Sequence, residues 1–256
     1  MLGQDIVQAA DRAVVALTHA ELDVTDRTAV HDALAGATAI NCAAYTDVDG
    51  AEGDPVTAHA VNEQGARNVA EAAERVLYVS TDYVFDGTKR KPYVESDQTA
   101  PIQEYGRSKL AGERATAGAN PNHLVVRSSW LFGAGGRNFV ETMLGLTSER
   151  AELRVVDDQI GCPTFTGHLA EALLTLAARG ERGVLHVAGA GSCSWFEFAR
   201  EIIEHTGIDC LVKPCTTDAF PRPARRPAYS VLASELGAPV LPAWQEGLDA
   251  YLGVRA

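Results

Sequence analysis

Lysine is scarce in this chain. Only 4 of its 22 basic residues are lysine, and no stretch of sequence gathers them into a basic run. A nucleic-acid groove or an anionic membrane surface needs clustered positive charge, so neither is an expected partner. The 34 acidic residues bring the formal net charge to −12. An anionic ligand must therefore be held by a few local arginines and helix N-termini. The five cysteines (Cys42, Cys162, Cys193, Cys210, Cys215) are odd in number and lack C-x-x-C spacing. That excludes a disulfide framework and a zinc site, and reduced thiols are expected. No apolar run reaches the roughly 18 residues of a membrane span. The opening M-L-G-Q-D-I-V-Q-A-A-D has no basic segment leading into an apolar one, so no secretory signal is expected and a cytoplasmic location is. The seven histidines fall at no metal or triad spacing, and no G-x-S-x-G elbow exists, which removes hydrolase readings.

What is present is an alternation of short apolar runs and longer amphipathic segments. Candidate strands are 13–17 (A-V-V-A-L), 37–42, 76–80, 123–127, 153–156 and 184–187. Helical patterns lie near residues 2–10, 26–35, 55–74, 105–117, 138–149, 167–179 and 195–206. Such alternation predicts βαβ units in a doubly wound parallel sheet of the Rossmann-like α/β class. Ligands of that fold bind beyond the C-terminal ends of the strands. The expected division is a nucleotide-cofactor domain over residues 1–150, then a smaller, mainly substrate-binding lobe over 151–256, interleaved with the first. The lobe is expected to carry Trp195, Phe196 and the loop P-R-P-A-R-R-P at 221–227.

Several motifs carry chemistry. Tyr105 and Lys109 stand four apart in Y-G-R-S-K, on one face of a predicted helix. An ammonium beside a phenol stabilises the phenolate and lowers its pKa, which suits proton exchange with a carbonyl oxygen at neutral pH. A chance pairing of a tyrosine and a lysine is the competing reading. In V-S-T-D-Y-V-F-D-G, Thr81 falls at a strand's C-terminal end, where its hydroxyl can donate to a carbonyl. Ala43 and Ala44 follow a strand directly, small enough for a flat cofactor to approach the backbone. The acids Asp47, Asp49, Glu52 and Asp54 lack calcium-loop spacing, and a helix start accounts for most of them. Trp130, in R-S-S-W-L-F-G, reads equally as a stacking platform or a core residue. Arg225 and Arg226 are candidates for holding a diphosphate, against the alternative of a solvated loop. No metal-binding set is expected.

Taken in order, these segments resemble the dTDP-4-dehydrorhamnose reductase family of extended short-chain dehydrogenases/reductases. The resemblance runs from L-D-V-T-D and N-C-A-A-Y-T-D-V-D-G-A-E through S-T-D-Y-V-F-D-G and Y-G-R-S-K-L-A-G-E to D-D-Q-I-G-C-P-T and R-P-A-Y-S-V-L. It implies reduction of the C4 ketone of a dTDP-4-dehydro-6-deoxy sugar by NADPH or NADH. Tyr105 would be the acid at O4, Lys109 would tune it and bind the nicotinamide ribose, and Thr81 would polarise the ketone. Asp82, Trp130 and Arg226 would contact the sugar nucleotide. Met1, Leu2, Asp23, Val24, Ala43, Ala44 and Tyr45, with Tyr105 and Lys109, match cofactor-lining positions. Some members of the family dimerise through Mg²⁺ held by glutamates, and no residue here is assigned to that role. The chain is expected to act as a monomer or homodimer.

The sequence departs from this pattern at its start, where only Met1-Leu2-Gly3 stands for the family's first strand and glycine-rich turn. Either the natural chain extends upstream of Met1, or a truncated chain binds its cofactor poorly. The first is expected, because every downstream motif is intact. The alternatives to the reductase reading are another sugar-nucleotide enzyme, such as a dihydrostreptose synthase or an epimerase, and a regulatory homologue that has lost its cofactor. Thr18, His19 and Ala20 offer neither an acid for a ribose hydroxyl nor an arginine for a 2′-phosphate, so NADPH and NADH remain equal.

Overall fold

The computed structural model describes residues 1–255. Its centre is a wholly parallel sheet ordered β1 (Thr38–Asn41), β2 (Arg75–Thr81), β3 (His123–Ser128) and β8 (Gly183–His186). Between β3 and β8 run the short strands β4 (Leu131–Phe132), β5 (Glu152–Val156), β6 (Ile160–Gly161) and β7 (Thr164–Phe165). After β8 come β9 (Cys193–Ser194) and β10 (Leu211–Cys215); β10 pairs parallel with β5, and β9 antiparallel with β6. The helices are α1 (Leu2–Ala9), α2 (Arg27–Leu34), α3 (Gly50–Gly53), α4 (Pro55–His59), α5 (Ala66–Ala72) and α6 (Glu104–Ala119). They continue with α7 (Phe139–Thr147), α8 (Thr166–Arg179), α9 (Trp195–Thr206) and α10 (Trp244–Arg255). The parallel α/β architecture matches the alternation read in the sequence.

Strand β2 is buried along its whole length, as expected of a parallel strand covered on both faces. Its side chains alternate. Leu77 and Val79 join Leu124, Val126 and Leu185 in a cluster closed by Leu2 and Ile6 of α1 and Leu169, Leu173 and Leu176 of α8. Val76 packs on the other face with Val30 of α2 and Val69 and Ala70 of α5. Tyr78 meets Ala66 and Val125 on that same face. A further cluster gathers α7, β5, α9 and α10 around Phe132, Phe198, Ile202, Trp244 and Leu248.

Local chemistry sets the helix starts. Asp54 caps the Thr57 N–H with Pro55 in the first turn of α4, and Ser194 and Glu197 form a reciprocal capping box at α9. Two sequence expectations need correction. The A-V-V-A-L run at 13–17 is not a strand: Val15 is 84% exposed, and Val14 and Leu17 are exposed as well. A strand needs a ladder neighbour, and among the described residues nothing pairs with β1 on the side away from β2. The helical stretch over 55–74 is also not uniform, since a π turn (Ala60–Gly65) interrupts it between α4 and α5. That turn carries Asn62, fully buried, whose amide accepts from Tyr45 N–H at 2.8 Å and donates to Tyr45 O and Ser108 Oγ.

Helix α6 lies tightly on β2 and the π turn. A Cβ added at Gly112 would lie 2.0 Å from Asn62 O and 2.4 Å from the Tyr78 hydroxyl, so no side chain fits there. Gly112→Ala must push the backbones apart, and is expected to cost at least about 2 kcal/mol of unfolding free energy. The urea midpoint measures it; an unchanged midpoint would mean the seam has slack that this packing denies.

Candidate functional site

The C-terminal ends of β1 and β2 and the first turns of α6 bring the chemistry-bearing residues together. Thr81 ends β2, and the chain then enters a 3₁₀ turn, Asp82–Val84. Thr81 Oγ1 donates to Asp82 Oδ1 at 3.1 Å and accepts from Tyr83 N–H at 3.2 Å. The second Asp82 oxygen accepts a short hydrogen bond from Ser230 Oγ. Asp82 is 2% exposed and has no cation within salt-bridge distance among the described residues. Burial raises its pKa to about 7, against the lowering influence of the Ser230 and Thr81 hydroxyls.

Tyr105, in the first turn of α6, meets the Tyr83 ring edge-to-face with centroids 6.1 Å apart. The Thr81 side chain beside its phenol favours the phenolate. Lys109, one turn on, is 2% exposed; its ammonium donates to Val79 O at 2.7 Å and lies 4.1 Å above the Tyr78 ring. Burial lowers its pKa to about 7, opposed by the Glu113 carboxylate. The expectation that Lys109 acidifies Tyr105 is therefore corrected: burial, and then the Asp82 charge, push the phenol up, while Lys109 points at the Val79 carbonyl.

Behind these groups lies a charged network. Glu113 accepts two hydrogen bonds from Arg127, at 2.9 and 2.7 Å, and one from Ser80 Oγ. Arg127 also contacts His186 Nε2 at 3.3 Å. Sequence reasoning passed over Glu113, although it stands four residues beyond Lys109 in Y-G-R-S-K-L-A-G-E, a third position on the same helix face.

The remaining candidates spread around this centre. Ala43 is exposed and Ala44 and Tyr45 half-buried just past β1, with Ala43 N–H on Asn41 Oδ1. Cys42 between them is close enough to Lys109 and to the Met1 amine to feel both charges, so the N-terminus of α1 converges here too. Met1 packs against Gly136, and its amine reaches Gly135 O at 3.5 Å. The Leu2 side chain belongs to the core, which leaves only its backbone to meet a ligand. Asp23 is exposed and accepts from the Thr25 N–H and hydroxyl, which lower its pKa. Val24 packs on Gly65, and its carbonyl accepts from Asn68 Nδ2.

Arg226 does not stand free for a diphosphate. It grips Asp49 with both terminal nitrogens, at 2.8 and 3.0 Å, and also donates to Ala224 O. Burial disfavours the Asp49 carboxylate, but Arg226, the Ala224 N–H and Arg222 outweigh it and hold its pKa below the usual range. The partner was invisible in sequence because Asp49 lies 177 positions away. Trp130 stacks face to face on Trp195 with centroids 3.4 Å apart, at a left-handed φ of 47°. Gly161 lies flat against the same indole, where a Cβ would come within 2.4 Å. Among the described residues no three His, Cys, Asp or Glu side chains gather as a metal site, and no helix is long and apolar enough to cross a membrane.

The RmlD substrate binding domain family matches residues 1–255. The dTDP-4-dehydrorhamnose reductase of Mycolicibacterium smegmatis is 45% identical over 258 residues, covering 96% of this chain and 79% of that protein. The chain belongs to the dTDP-4-dehydrorhamnose reductase family. Two solved structures of family members agree. The Clostridium acetobutylicum dTDP-4-dehydrorhamnose reductase superposes with a TM-score of 0.93 at 38% identity, over 99% of this chain and 95% of that one. The Bacillus anthracis enzyme, in complex with NADP, gives a TM-score of 0.95 at 37% identity, over 100% and 95%.

Lys109 yields a stability prediction within this family site. Its ammonium is favoured in the unfolded chain and disfavoured in the fold, so the cost is fully present below pH about 7 and fades as pH rises toward its unfolded value. Lys109→Met is therefore expected to raise unfolding free energy by a few kcal/mol at pH about 6, with the gain shrinking by pH about 10. Denaturant titrations of both proteins at the two pH values check it; a pH-independent difference contradicts it.

Proposed function

We propose that this protein reduces the C4 ketone of dTDP-4-dehydrorhamnose to give dTDP-L-rhamnose, using NADPH, with NADH as the competing donor. The observation that carries the reading is the meeting of the Thr81 hydroxyl, the Tyr105 phenol and the buried Lys109 ammonium at the end of β2, in a chain 45% identical to a reductase of that name. The NADP complex of the Bacillus anthracis relative supports the choice of cofactor.

The residues suit such a cofactor. Ala43 and Ala44 offer backbone that a flat ring can approach, and the amine end of α1 and Lys109 provide positive charge around Cys42. Bound NADPH supplies the hydride. Asp23, Val24, Tyr45, Met1 and the Leu2 backbone line the rest of its site. Tyr105 gives its proton to O4, Thr81 donates a hydrogen bond to the same oxygen, and Lys109 holds the cofactor ribose. Both hydroxyls belong to partly or fully buried residues, where donors act more strongly than in water. Trp130 and Asp82 border the sugar. Arg226 reaches the nucleotide by exchanging Asp49 for phosphate oxygens, with residues 151–256 forming most of the substrate lobe and 1–150 most of the cofactor domain. The enzyme works in the cytoplasm, as a monomer or homodimer.

The direct test is NADPH oxidation by the purified protein with dTDP-4-dehydrorhamnose, and identification of the sugar product. Absence of NADPH binding would instead favour the cofactor-deficient reading. Tyr105→Phe removes the acid but leaves the ring, so kcat is expected to fall by about 10²–10⁴-fold with KM nearly unchanged. Near-normal turnover in that variant would contradict the assignment of Tyr105.

A further inference from the structure

We infer that Asp82, steadied by Ser230, sets the direction of the Thr81 hydroxyl, and so decides whether Thr81 can donate to a substrate oxygen. The inference rests on the reductase reading above and adds two positioning residues to it.

The argument is an inventory of protons. Thr81 Oγ1 has one proton and two lone pairs. It accepts from Tyr83 N–H at 3.2 Å and lies 3.1 Å from Asp82 Oδ1. A carboxylate only accepts. With Asp82 ionised, the Thr81 proton points at Oδ1. The hydroxyl then faces inward and is not left to donate to a ketone. With Asp82 protonated on Oδ1 the order reverses. The acid donates to Thr81, and the Thr81 proton is released toward the ketone oxygen.

Ser230 selects which oxygen carries the proton. Its hydroxyl donates to Oδ2, which leaves Oδ1, the oxygen facing Thr81, to be protonated. Ser230 is 1% exposed and comes from R-P-A-Y-S-V-L, the segment that opens with Arg226. The groups that face Asp82 are Tyr83 on its own turn, Tyr105 from α6, and Cys162 between β6 and β7. All three are pushed up by burial and stay neutral through the physiological range. Arg226 is bound to Asp49, and its charge favours ionisation of the nearby Tyr83 without overcoming burial. Within this cluster, the group that changes charge near neutrality is Asp82, at about 7. Ketone reduction needs the outward-facing Thr81 hydroxyl, so its rate falls as pH rises through the Asp82 titration.

Two readouts test this, one of which needs no substrate. Difference infrared spectra of wild type against Asp82→Asn should contain a protonated carboxyl band that fades as pH rises through neutrality. Ser230→Ala removes a donor that favours the carboxylate, so both this band and the alkaline fall in kcat should move up by about one pH unit. In Asp82→Asn the kcat profile should lose that step, while the Lys109 titration remains in every variant. A band absent on the acid side of neutrality overturns the inference, as does a Ser230→Ala profile that does not move in an active enzyme. Failure to reduce any dTDP-4-keto sugar would count against the reductase reading instead, and the infrared titration would still decide the state of Asp82.

Discussion

Glu113 is the carboxylate that α6, β2 and β3 share, and the site depends on where it lies. It sits on α6 one turn after Lys109, takes the Ser80 hydroxyl from β2, and takes two nitrogens of Arg127 from β3. Both partners of the ion pair have side chains only 6% exposed. A buried pair of this kind adds little net stability, because desolvation offsets most of the attraction, but removing one member strands a charge and costs several kcal/mol. The pair therefore acts as a constraint on register. Helix α6 cannot slide or roll along β2 without breaking it, and Lys109 stays on Val79 O as a consequence. Gly112 imposes the same constraint sterically, by letting α6 approach Asn62 and Tyr78.

Much of this was legible in the sequence because it is local. Tyr105 and Lys109 share a helix face by spacing alone, Thr81 follows a run of strand-forming residues, and the alternation of runs marks a parallel sheet. Apolar content without a partner was the weak point. A-V-V-A-L resembles β2 in composition, yet Val15 lies in solvent because a strand exists only as part of a ladder. The π turn at Ala60–Gly65 left no periodic signature, since its purpose is visible only in the inward-facing Asn62 and what that amide holds. The 177-residue separation of Arg226 from Asp49 hid a pairing that no spacing rule could reach.

That pairing changes how the charge of the molecule should be read. A net charge of −12 suggested that local arginines must offset the repulsion of an anionic ligand. Arg226 and Arg222 do converge, but on Asp49, which already neutralises much of their charge. A diphosphate that displaced Asp49 would gain only the difference between its own contacts with Arg226 and those of Asp49. Such an exchange favours specificity over raw affinity, because a ligand that cannot match the two-pronged carboxylate leaves the ion pair closed.

The same desolvation acts in opposite directions on the two buried groups flanking Thr81 and Tyr105. It raises Asp82 to about 7 and lowers Lys109 to about 7, since a buried site disfavours whichever form is charged. Below neutrality the pair is a neutral acid with an ammonium; above it, a carboxylate with a neutral amine. Crossing neutrality from the alkaline side thus brings two protons and turns the pocket from net negative to net positive, the polarity an anionic dinucleotide and sugar diphosphate require. Asp82 costs the fold stability above its unfolded pKa, and Lys109 costs it below its own, so near pH 7 both penalties are present together. The fully buried aliphatic layer of β2, β3 and α8 must offset them. Exposing the site to water would relieve both penalties, and would also remove the low-dielectric surroundings in which a single proton on Asp82 can turn the Thr81 hydroxyl.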